Sequence, residues 1–520
     1  MSKIERSGAG NDAALNAGTS DALPYFFDQH IGETYRGKPI LDHAGVIQHI
    51  DSGTTIVAKN GTITFSFLDG PHTIGQYNNP HQGFTEPAGY SPMSQAEQAV
   101  AREAMKLWDD LIAPKVVEKT GNGADIVFAN TTTGPAQGWT YYPNEHQYKH
   151  IGSDVWTADP TANWTNQWLN YSGYGWTTMV HEAGHAFGLS HPGAYNFGPN
   201  FSATYTNGAE YAQDSRQFSI MSYWDPTETG ARPLDVWVGL ANYPQTPMID
   251  DILTIQAKYG ADPTTRVGNT TYGFNSNAGD AIYDFTQNHS PNLAIYDAGG
   301  NDTIDMSGAN SGVFLDLHPG SFSSGGNLPT LDQANAATAE FNAATDANQG
   351  DFAPWTQASL DAYLGAVETN RSNQILAMTG VAGVGALSFE NISIAYNTII
   401  ENAVGGSARD LLWGNDVANT LNGMGGNDVL KGFGGNDTLI GGDGNDTFVF
   451  VKDGSTDTIQ DFQTGADKID LTALSGVTTT DVTYNSTTHQ VQIDTDHNGV
   501  ADMFINSANV VNAGDYIFHA

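Results

Sequence analysis

Over the first 260 residues, apolar positions recur with two different spacings. A spacing of two residues predicts strands, and a helical spacing predicts helices. The stretch 62–68 (TITFSFL) alternates with a period of two, which is typical of a strand with one buried face. A helical period follows Ser94, which forms a capping-box pattern with Glu97, and Pro114 is expected to end that helix. The mixture predicts an α+β region. Similar patterns predict strands at 124–130 and 153–159, and helices at 177–187 and 248–259.

Between residues 405 and 449 a nine-residue pattern repeats five times. The copies read GGSARDLLW, GNDVANTLN, GMGGNDVLK, GFGGNDTLI and GGDGNDTFV, close to G-G-x-G-x-D-x-U-x with U a large apolar residue. Glycines permit a tight turn that exposes carbonyls, and the aspartates supply carboxylates for calcium. A flexible linker is the alternative, but a linker would not keep an apolar residue in register over five copies. The U residues are Leu412, Leu421, Leu430, Leu439 and Phe448, and one isolated copy lies at 297–305.

The charge of the chain restricts its partners. There are 57 acidic and 19 basic residues, for a formal net charge of −38. Such a surface repels nucleic-acid phosphates and anionic membranes, whereas it suits Ca²⁺. The chain has no cysteine, which excludes disulfides, thiolate zinc sites and a cysteine nucleophile. No membrane anchor is expected because no apolar stretch approaches about 18 residues, and the N-terminus has no signal-peptide core.

The segment HEAGHAFGLSH indicates a zinc site. His181 and His185 are four residues apart, so a helix places both on one face. Gly188 can adopt a positive φ and turn the chain so that His191 becomes a third ligand. Three neutral imidazoles suit zinc and leave one position for water, and Glu182 lies where it can act as general base toward that water. This combination is much rarer by chance than HExxH alone.

Two other classes of protein remain open from the residues. One is a calcium-dependent adhesin or toxin-like binding protein with a vestigial catalytic domain, which predicts a broken zinc motif, whereas every motif residue is present. The other is a purely structural repeat protein, which is disfavoured because the repeats occupy only a fraction of the chain. Casein hydrolysis that a zinc chelator blocks would separate the enzyme from both.

About thirty residues beyond His191 the chain reads QFSIMSYWD. The zinc motif followed by such a Met-turn marks the metzincin proteases. HEAGHAFGLSHPG, SIMSYW, the glycine-aspartate nonapeptides and the acidic C-terminus together resemble the serralysins, secreted bacterial zinc proteases, from about residue 24 to the end. The resemblance implies that Met221 forms an apolar floor beneath the zinc. It also implies that Tyr223 is a mobile extra ligand whose hydroxyl stabilises the oxyanion; by residue type alone, both would be core residues.

The resemblance implies an α+β metzincin-like protease domain followed by an all-β domain, a parallel β-roll or β-sandwich. Residues 1–20 are expected to be a leader or propeptide, 21–262 the zinc protease domain, and 263–520 the calcium-binding roll with a C-terminal secretion signal. A partly helical insertion at about 325–388 has no counterpart in the pattern and no predicted function.

In serralysins each roll calcium lies between turns two repeats apart, which implies three ligand sets here. Asn419 carries an amide where the pattern has a carboxylate, which should weaken the second set, and Ala408 in place of glycine is a milder departure. The sets are Gly406, Ala408, Asp410, Gly423, Gly425 and Asp428; Asn415, Val417, Asn419, Gly432, Gly434 and Asp437; and Met424, Gly426, Asp428, Gly441, Asp443 and Asp446.

Near the domain junction, RVGNT and DAGGND resemble the linking calcium site of the family. For the second of the two implied sets an ordinary acidic turn is an equal alternative. The first set is Arg266, Gly268 and Thr270 through their carbonyls, with Asp297, Gly299 and Asp302; the second is Gly300, Asp302, Ile399 through its carbonyl, and Glu401.

The resemblance also implies how the protein acts and where. A secreted, extracellular endopeptidase of broad specificity is expected, with one catalytic Zn²⁺, several structural Ca²⁺ ions, and protein or peptide substrates bound as an added strand beside the cleft. Type I secretion machinery is the expected export partner, and a periplasmic or host protein inhibitor stays open. The protein is expected to be a monomer, and its leader to be removed by self-cleavage.

Overall fold

The computed structural model describes residues 27–70, 86–121, 123–134, 137–143, 152–196, 201–345 and 351–519. The leader predicted at 1–20 lies outside these residues. Among the described residues, no helix is long and apolar enough to span a bilayer. The region before residue 262 mixes helices and strands, and the region after it is rich in parallel strands, as the sequence predicts.

The first region is built on a mixed sheet whose strand order is β5-β3-β6-β8-β7. Its strands are parallel except at the edge, where β7 runs antiparallel to β8, and β4 also pairs antiparallel with β6. Alternation in β3 buries Ile63 and Phe65, which confirms the predicted half-buried strand. The strands are β1 (Thr34–Tyr35), β2 (Lys38–Pro39), β3 (Thr62–Phe67), β4 (Tyr90–Ser91), β5 (Lys115–Glu118), β6 (Ile126–Thr131), β7 (Gly138–Thr140), β8 (Val155–Ala158), β9 (Leu234–Asp235) and β10 (Leu240–Ala241).

The helices of this region pack against one another and against the sheet. The predicted capping box is present, because Ser94 Oγ accepts from the Glu97 N–H and Glu97 accepts in return. The helix that follows ends at Asp109, not at Pro114. The Asp109 carboxylate accepts from the Val116 N–H of β5 at 2.6 Å. The helices are α1 (His43–Ile50), α2 (Gln95–Asp109), α3 (Tyr174–Ala186), α4 (Tyr205–Gly208) and α5 (Ile249–Tyr259), with short 3₁₀ turns at Phe27–His30, Glu86–Gly89, Trp164–Gln167 and Pro226–Glu228.

The second region contains two long, mainly parallel sheets, and successive repeats contribute their strands to one sheet and then to the other. The five nonapeptide strands fall in turn on one sheet and then the other, so strands paired in a sheet are 18 residues apart, as Leu412 is from Leu430. All five predicted U residues are fully buried. The sheet orders are β11-β13-β17-β19-β21-β23-β27-β26-β25 and β14-β18-β20-β22-β24-β28, with a smaller sheet β12-β16-β15.

The strands of this region are short, as expected when each turn contributes one apolar side chain to a shared core. They are β11 (Thr271–Gly273), β12 (Leu293–Ile295), β13 (Thr303–Asp305), β14 (Phe314–Asp316), β15 (Phe322–Ser323), β16 (Ile392–Ile394), β17 (Asn402–Val404), β18 (Leu411–Trp413), β19 (Thr420–Asn422), β20 (Val429–Lys431), β21 (Thr438–Ile440), β22 (Thr447–Val449), β23 (Thr456–Ile459), β24 (Lys468–Asp470), β25 (Val482–Asn485), β26 (Gln490–Ile493), β27 (Met503–Ser507) and β28 (Tyr516–Ile517), with 3₁₀ turns at Ala281–Tyr283 and Ala513–Asp515.

The segment predicted as an insertion forms two helices, α6 (Leu331–Ala344) and α7 (Gln357–Thr379). It packs on the first region as well as on the roll. Phe341 of α6 meets Trp168 edge to face, with 5.0 Å between ring centroids, and Trp355 donates from Nε1 to the Trp237 carbonyl. The insertion therefore braces the two regions against each other.

Candidate active site and calcium turns

Helix α3 carries two of the three histidines and is buried along most of its length. Gly173 is the N-cap residue of this helix and provides no side-chain hydrogen bond. The helix passes close to the segment that holds Met221. A Cβ at Gly184 would lie 2.6 Å from the Met221 sulfur and 3.0 Å from the Trp108 ring. Glycine is therefore required at position 184, and Met221, fully buried, lies directly against the helix that carries the histidines.

The three histidines converge. One ring nitrogen from each of His181, His185 and His191 lies within 4.8 Å of the others, and the Nε2 atoms of His185 and His191 are 3.1 Å apart. The chain returns through Gly188, whose φ is +90° and whose Cβ position is blocked by the Thr54 carbonyl oxygen at 2.1 Å. The turn inferred from the sequence is thus the one that brings in the third ring.

A backbone carbonyl fixes each imidazole. The Nδ1 atoms of His181, His185 and His191 donate to the carbonyls of Ile220 (2.8 Å), Leu189 (2.7 Å) and Tyr195 (3.0 Å), in that order. A carbonyl only accepts, so the proton stays on Nδ1 and each Nε2 keeps its lone pair for a metal. Burial lowers the pKa of all three rings, that of His185 to about 4, and neighbouring charges, including Arg216, depress the pKa of His181 further. Neutral, oriented imidazoles are the donors that zinc takes in a three-histidine site.

Glu182 lies beneath the edge strand β7. Its Oε2 accepts a 2.8 Å hydrogen bond from the Thr140 hydroxyl, and a Cβ at Gly138 would lie 2.8 Å from its Oε1. Burial raises the pKa of Glu182 to about 8, so the carboxyl favours holding a proton in this apolar setting. Thr140 and Gly138 were not identified from the sequence, since nothing local marks a threonine some forty residues before the motif as a partner of Glu182.

Tyr223 lies beside the triad, as the resemblance implies. Its ring centroid is 4.3 Å from that of His191 and 6.1 Å from that of His181. The turn that carries it is held from below by two buried aspartates. Asp251 accepts from Ser219 Oγ and from the Ile220 N–H, both at 2.6 Å, and Asp214 accepts from Ser222 Oγ at 2.7 Å.

These aspartates also reach the histidines. Asp214 accepts from the Tyr195 hydroxyl at 2.7 Å, and the Tyr195 carbonyl in turn orients His191. Asp251 holds the Ile220 amide, and the Ile220 carbonyl orients His181. Sequence reasoning missed both residues. For Asp251 the available signal is an acidic residue in the first turn of the otherwise apolar start of α5, whereas Asp214 lies in a polar stretch that carries no such signal.

The two halves of each predicted roll calcium set lie together. Gly425 donates to the Gly406 carbonyl, Gly434 to the Asn415 carbonyl at 2.9 Å, and Asp443 to the Met424 carbonyl at 2.9 Å. Each bond joins turns two repeats apart, which is the pairing that the resemblance implies. The ligand roles themselves remain predictions.

The turn carboxylates form a ladder that leaves oxygens without partners. Asp428, Asp437 and Asp446 each accept through Oδ1 from a backbone N–H 18 residues earlier, at 2.8–2.9 Å. Their Oδ2 atoms are buried and have no hydrogen-bond partner among the described residues. Burial raises the pKa of Asp428 to about 8 and that of Asp437 to about 7. Buried, unpartnered carboxylate oxygens are what a hard cation such as Ca²⁺ would satisfy.

The ladder continues beyond the last nonapeptide. Asp457 accepts from the Asp437 N–H and Asp467 from the Asp446 N–H, both at 3.0 Å. The sequence reasoning missed these two, because the spacing lengthens from 18 to 20 and 21 residues and the glycines disappear. The signal that persists is an aspartate followed two residues later by a buried apolar side chain, Ile459 and Ile469 here.

Carbonyls crowd the inside of the turns. A Cβ at Gly426 would lie 2.4 Å from the Ala408 oxygen, one at Gly435 would lie 2.6 Å from the Val417 oxygen, and one at Gly442 would lie 2.1 Å from the Met424 oxygen. These three carbonyls belong to the predicted ligand sets. Glycine at the facing positions leaves room for the carbonyls to converge, which the nonapeptide pattern requires. The remaining predicted ligands Gly423, Gly432 and Gly441 lie against the carboxylates of Asp428, Asp437 and Asp446.

The second predicted calcium set contains an amide, Asn419, in place of a carboxylate. Asn419 Oδ1 accepts from the Asn415 N–H at 2.7 Å, and its Nδ2 donates to the Glu401 carbonyl at 3.0 Å. Its amide is therefore satisfied within the protein, unlike the carboxylate oxygen of Asp437 opposite. In the first set Asp410 is likewise bonded through both oxygens, to the N–H groups of Val313 and Gly406.

The junction residues also gather. Asp302 Oδ1 accepts from the Thr270 N–H at 2.8 Å, and a Cβ at Gly300 would lie 2.3 Å from the Gly268 oxygen. Asp302 Oδ2 is buried without a partner among the described residues, and burial raises the pKa of this carboxyl to about 7. The carboxylates of the other predicted ligands have partners within the protein. Asp297 accepts from the Tyr272 hydroxyl and the Gly299 N–H, and Glu401 accepts from the Asp302 N–H. The carbonyl roles predicted for Arg266 and Ile399 remain predictions.

Over most of its length the chain is similar to known proteins. A family model described as "Peptidase M10 serralysin C terminal" matches residues 261–351 and 334–518. Serralysin of Proteus mirabilis is 33% identical over 477 residues, covering 84% of this chain and 80% of its own length. The chain belongs to the serralysin family. Metallopeptidase AprA of Pseudomonas marginalis is 34% identical, with 88% of this chain and 83% of the relative covered.

Metalloprotease AprA of Pseudomonas entomophila is 35% identical, covering 80% of this chain and 73% of that protein. The chain is thus a metalloendopeptidase of the serralysin family, and the resemblance seen in its motifs is confirmed. The two stretches matched by the family model meet and overlap within the helical insertion, at residues 334–351. The insertion therefore falls where the family pattern is interrupted.

Proposed function

We propose that this serralysin relative is a secreted zinc endopeptidase that hydrolyses peptide bonds of proteins with broad specificity. The observation that carries the proposal is the convergence of His181, His185 and His191, each with Nδ1 held by a carbonyl so that Nε2 is open to a metal. The names of the relatives agree with a metal-dependent peptidase. Zinc, when bound by these nitrogens, would polarise the scissile carbonyl and acidify water.

The residues around the histidines supply the other steps. Strand β7 lies at the edge of its sheet, so an extended substrate can pair with it as an added strand above Glu182. In its ionised form Glu182 takes a proton from the attacking water and passes it to the leaving amine, and the Thr140 hydroxyl holds its carboxylate in place. Tyr223, beside the His191 ring, donates its phenol to the developing oxyanion.

The region after residue 262 has the role of a calcium-dependent fold in this proposal. The buried oxygens of Asp302, Asp428, Asp437 and Asp446 support calcium at the junction and in the roll. At low cytosolic calcium the roll would stay unfolded for export through type I machinery, and it would fold on reaching calcium outside. The leader at 1–20 and its removal remain predictions, because those residues lie outside the described chain.

A metal-replacement assay tests the proposal. Enzyme stripped with a zinc-selective chelator in excess calcium should lose casein hydrolysis and regain it with one equivalent of Zn²⁺. His191→Ala should lower both zinc content and activity by more than about 100-fold, since even partners of ligands are worth 10- to 100-fold. His497→Ala, which alters an exposed histidine far along the chain, is the matched control and should retain both. Full activity of the metal-free enzyme, or of His191→Ala, would contradict the proposal.

A further inference from the structure

Arg216 places a cation at the margin of the candidate active site. Its guanidinium carbon lies 5.9 Å from the centre of the Tyr174 ring and 5.6 Å from that of Tyr243, and its Nε donates to the Ser222 carbonyl at 3.2 Å. Its backbone N–H donates to the Trp224 carbonyl at 3.0 Å. Arg216 is thus tied by main chain and side chain to the turn that presents Met221 and Tyr223.

Helix α3 relates Arg216 to the histidines. Tyr174, Thr178, His181 and His185 follow one another at spacings of four, three and four residues, so they share one face of the helix. Tyr174 is seven residues before His181, which is two turns or about 10 Å along the axis. An extended substrate advances about 3.3 Å per residue, so the guanidinium lies within reach of a side chain one or two residues from the scissile bond.

The charge of Arg216 is not neutralised by the protein. Among the described residues it forms no ion pair. The negative charge that it feels most in the same loop is Asp225, which is exposed and already accepts from the Thr227 N–H. Tyrosine rings flank the guanidinium and attract it without cancelling its charge. The side chain is also partly exposed rather than buried.

A basic residue such as Arg216 is rare in this acidic chain. Only 19 of 520 residues are lysine or arginine, against 57 acidic residues, so the overall field repels an acidic substrate. Arg232, also part of the neighbouring structure, is buried and donates to the Thr227 and Ala231 carbonyls. Arg216 therefore differs from Arg232, because among the described residues its guanidinium bonds only to the Ser222 carbonyl, through Nε, and to Tyr174. The rest of its planar fork matches a carboxylate.

We propose that Arg216, flanked by Tyr174 and Tyr243, forms a cationic subsite that selects peptides with an acidic side chain within two residues of the scissile bond. The inference rests on the proposed peptidase function. Arg216 binds substrate in this role and takes no part in the proton transfers of Glu182. A neutral substrate would still be cleaved, because the remaining contacts of an added strand do not depend on this charge.

Paired peptides test the subsite. Quenched fluorescent peptides carry Glu or the isosteric Gln at each of the two positions on either side of the bond, and the measured quantity is the Glu-to-Gln ratio of kcat/KM. We expect about a tenfold preference for Glu at one position in the wild type, since a partly exposed charged hydrogen bond is worth on the order of 1 kcal/mol. Raising NaCl from about 0.05 to about 0.5 M should lower that ratio toward one.

Variants assign the preference to Arg216. Arg216→Gln should bring the ratio to about one, and Arg216→Lys should retain part of it because the charge remains but the fork is lost. Arg102→Gln removes a charge from the exposed Glu118 pair on α2 and should keep the wild-type ratio. An unchanged ratio in Arg216→Gln overturns the proposal. An equal loss of kcat/KM for both peptides also overturns it, since that shows only a structural role.

The peptide assay gives different results if the peptidase proposal fails and if only the cationic subsite fails. If zinc-loaded wild type cleaves none of the peptides, the peptidase proposal fails. If it cleaves Glu and Gln peptides equally at every position, only the cationic subsite fails. Should Arg216→Gln not fold, as judged by near-ultraviolet circular dichroism, the salt dependence of the wild-type ratio decides: a ratio that stays constant with NaCl overturns the subsite.

Discussion

The histidine site and the calcium turns use buried polar groups in opposite ways. Around the histidines each Nδ1 has a carbonyl partner, and Glu182 has the Thr140 hydroxyl. In the turns, oxygens of Asp428, Asp437 and Asp446 are buried and have no partner within the described parts of the chain. A site in which every metal-facing side chain is already held by a hydrogen bond can keep its shape without its metal. Buried carboxylate oxygens without partners, by contrast, destabilise the fold that holds them. In the proposed function, zinc would therefore complete a formed site, whereas calcium would complete the fold itself.

The largest effect that separates the two regions is expected at Glu182. Glu182→Gln should lower kcat on a peptide substrate by about 10²- to 10⁴-fold, because the group that moves the proton is lost. Unfolding should not be easier, since the variant replaces a buried carboxyl whose pKa is raised to about 8 with a neutral amide. Peptide kinetics and thermal unfolding with zinc and calcium present measure both.

The matched control for that variant is Glu118→Gln, which alters an exposed carboxylate paired with Arg102. It should change neither kcat nor the melting temperature appreciably. A Glu182→Gln enzyme with wild-type kcat would remove Glu182 from the mechanism. A large drop in its melting temperature would instead show that the carboxylate is structural.

The next effect concerns calcium removal and its dependence on pH. The pKa values of Asp428, Asp437 and Asp446 are raised by burial to about 8, 7 and 6 from 3.8. A raised folded pKa contributes stability that is present below the unfolded pKa and is lost as pH rises through the folded value. The calcium-free roll should therefore weaken from about pH 4 to about pH 8, while calcium binding, which needs the charged forms, strengthens over the same range.

The measurement is the shift in melting temperature on adding excess calcium chelator, taken between pH 5 and pH 8 with zinc held constant. The shift should be largest at pH 8, where circular dichroism should show loss of the region after residue 262. A shift that is independent of pH would mean that these carboxylates do not bind the ion. Retention of the full spectrum with chelator at pH 8 would contradict calcium-dependent folding altogether.

The smallest effect tests the weak calcium set. Asn419→Asp should raise calcium affinity by adding the missing carboxylate opposite Asp437, and it should lower the stability of the calcium-free protein. The second effect follows because the Nδ2 that now donates to the Glu401 carbonyl would become an oxygen facing it. Calcium titrations followed by circular dichroism should show an earlier midpoint than wild type, by severalfold.

Asn445→Asp is the control for that variant, because it adds the same charge at an exposed position of a neighbouring turn. It should leave both midpoint and calcium-free stability nearly unchanged. If the two variants behave alike, the effect is one of net charge and the second set does not bind calcium. Opposite shifts in the presence and absence of calcium would be specific to position 419.

Much of this architecture could be predicted because its signals are local. The capping box at Ser94, the spacing of His181 and His185, and the nine-residue period each depend on residues close in the chain. The end of α2 lies five residues before the proline expected to end it, and the last helical side chain, Asp109, bonds to the following strand, a tertiary contact that no local pattern marks. Asp457 and Asp467 were missed for a related reason, since the ladder continues by spatial register after the sequence period has stopped.

The sequence by itself determined the helix, the glycine turn and the stacked repeats, since helical and repeat periods follow from backbone geometry over a few residues. Only the tertiary structure decided what surrounds them. It set Thr140 against Glu182, Met221 beneath Gly184, and Asp214 and Asp251 behind the carbonyls that orient the rings. It also brought Arg216 beside Tyr174. Such contacts join residues 19 to 42 positions apart, and packing, which no local pattern encodes, selects them.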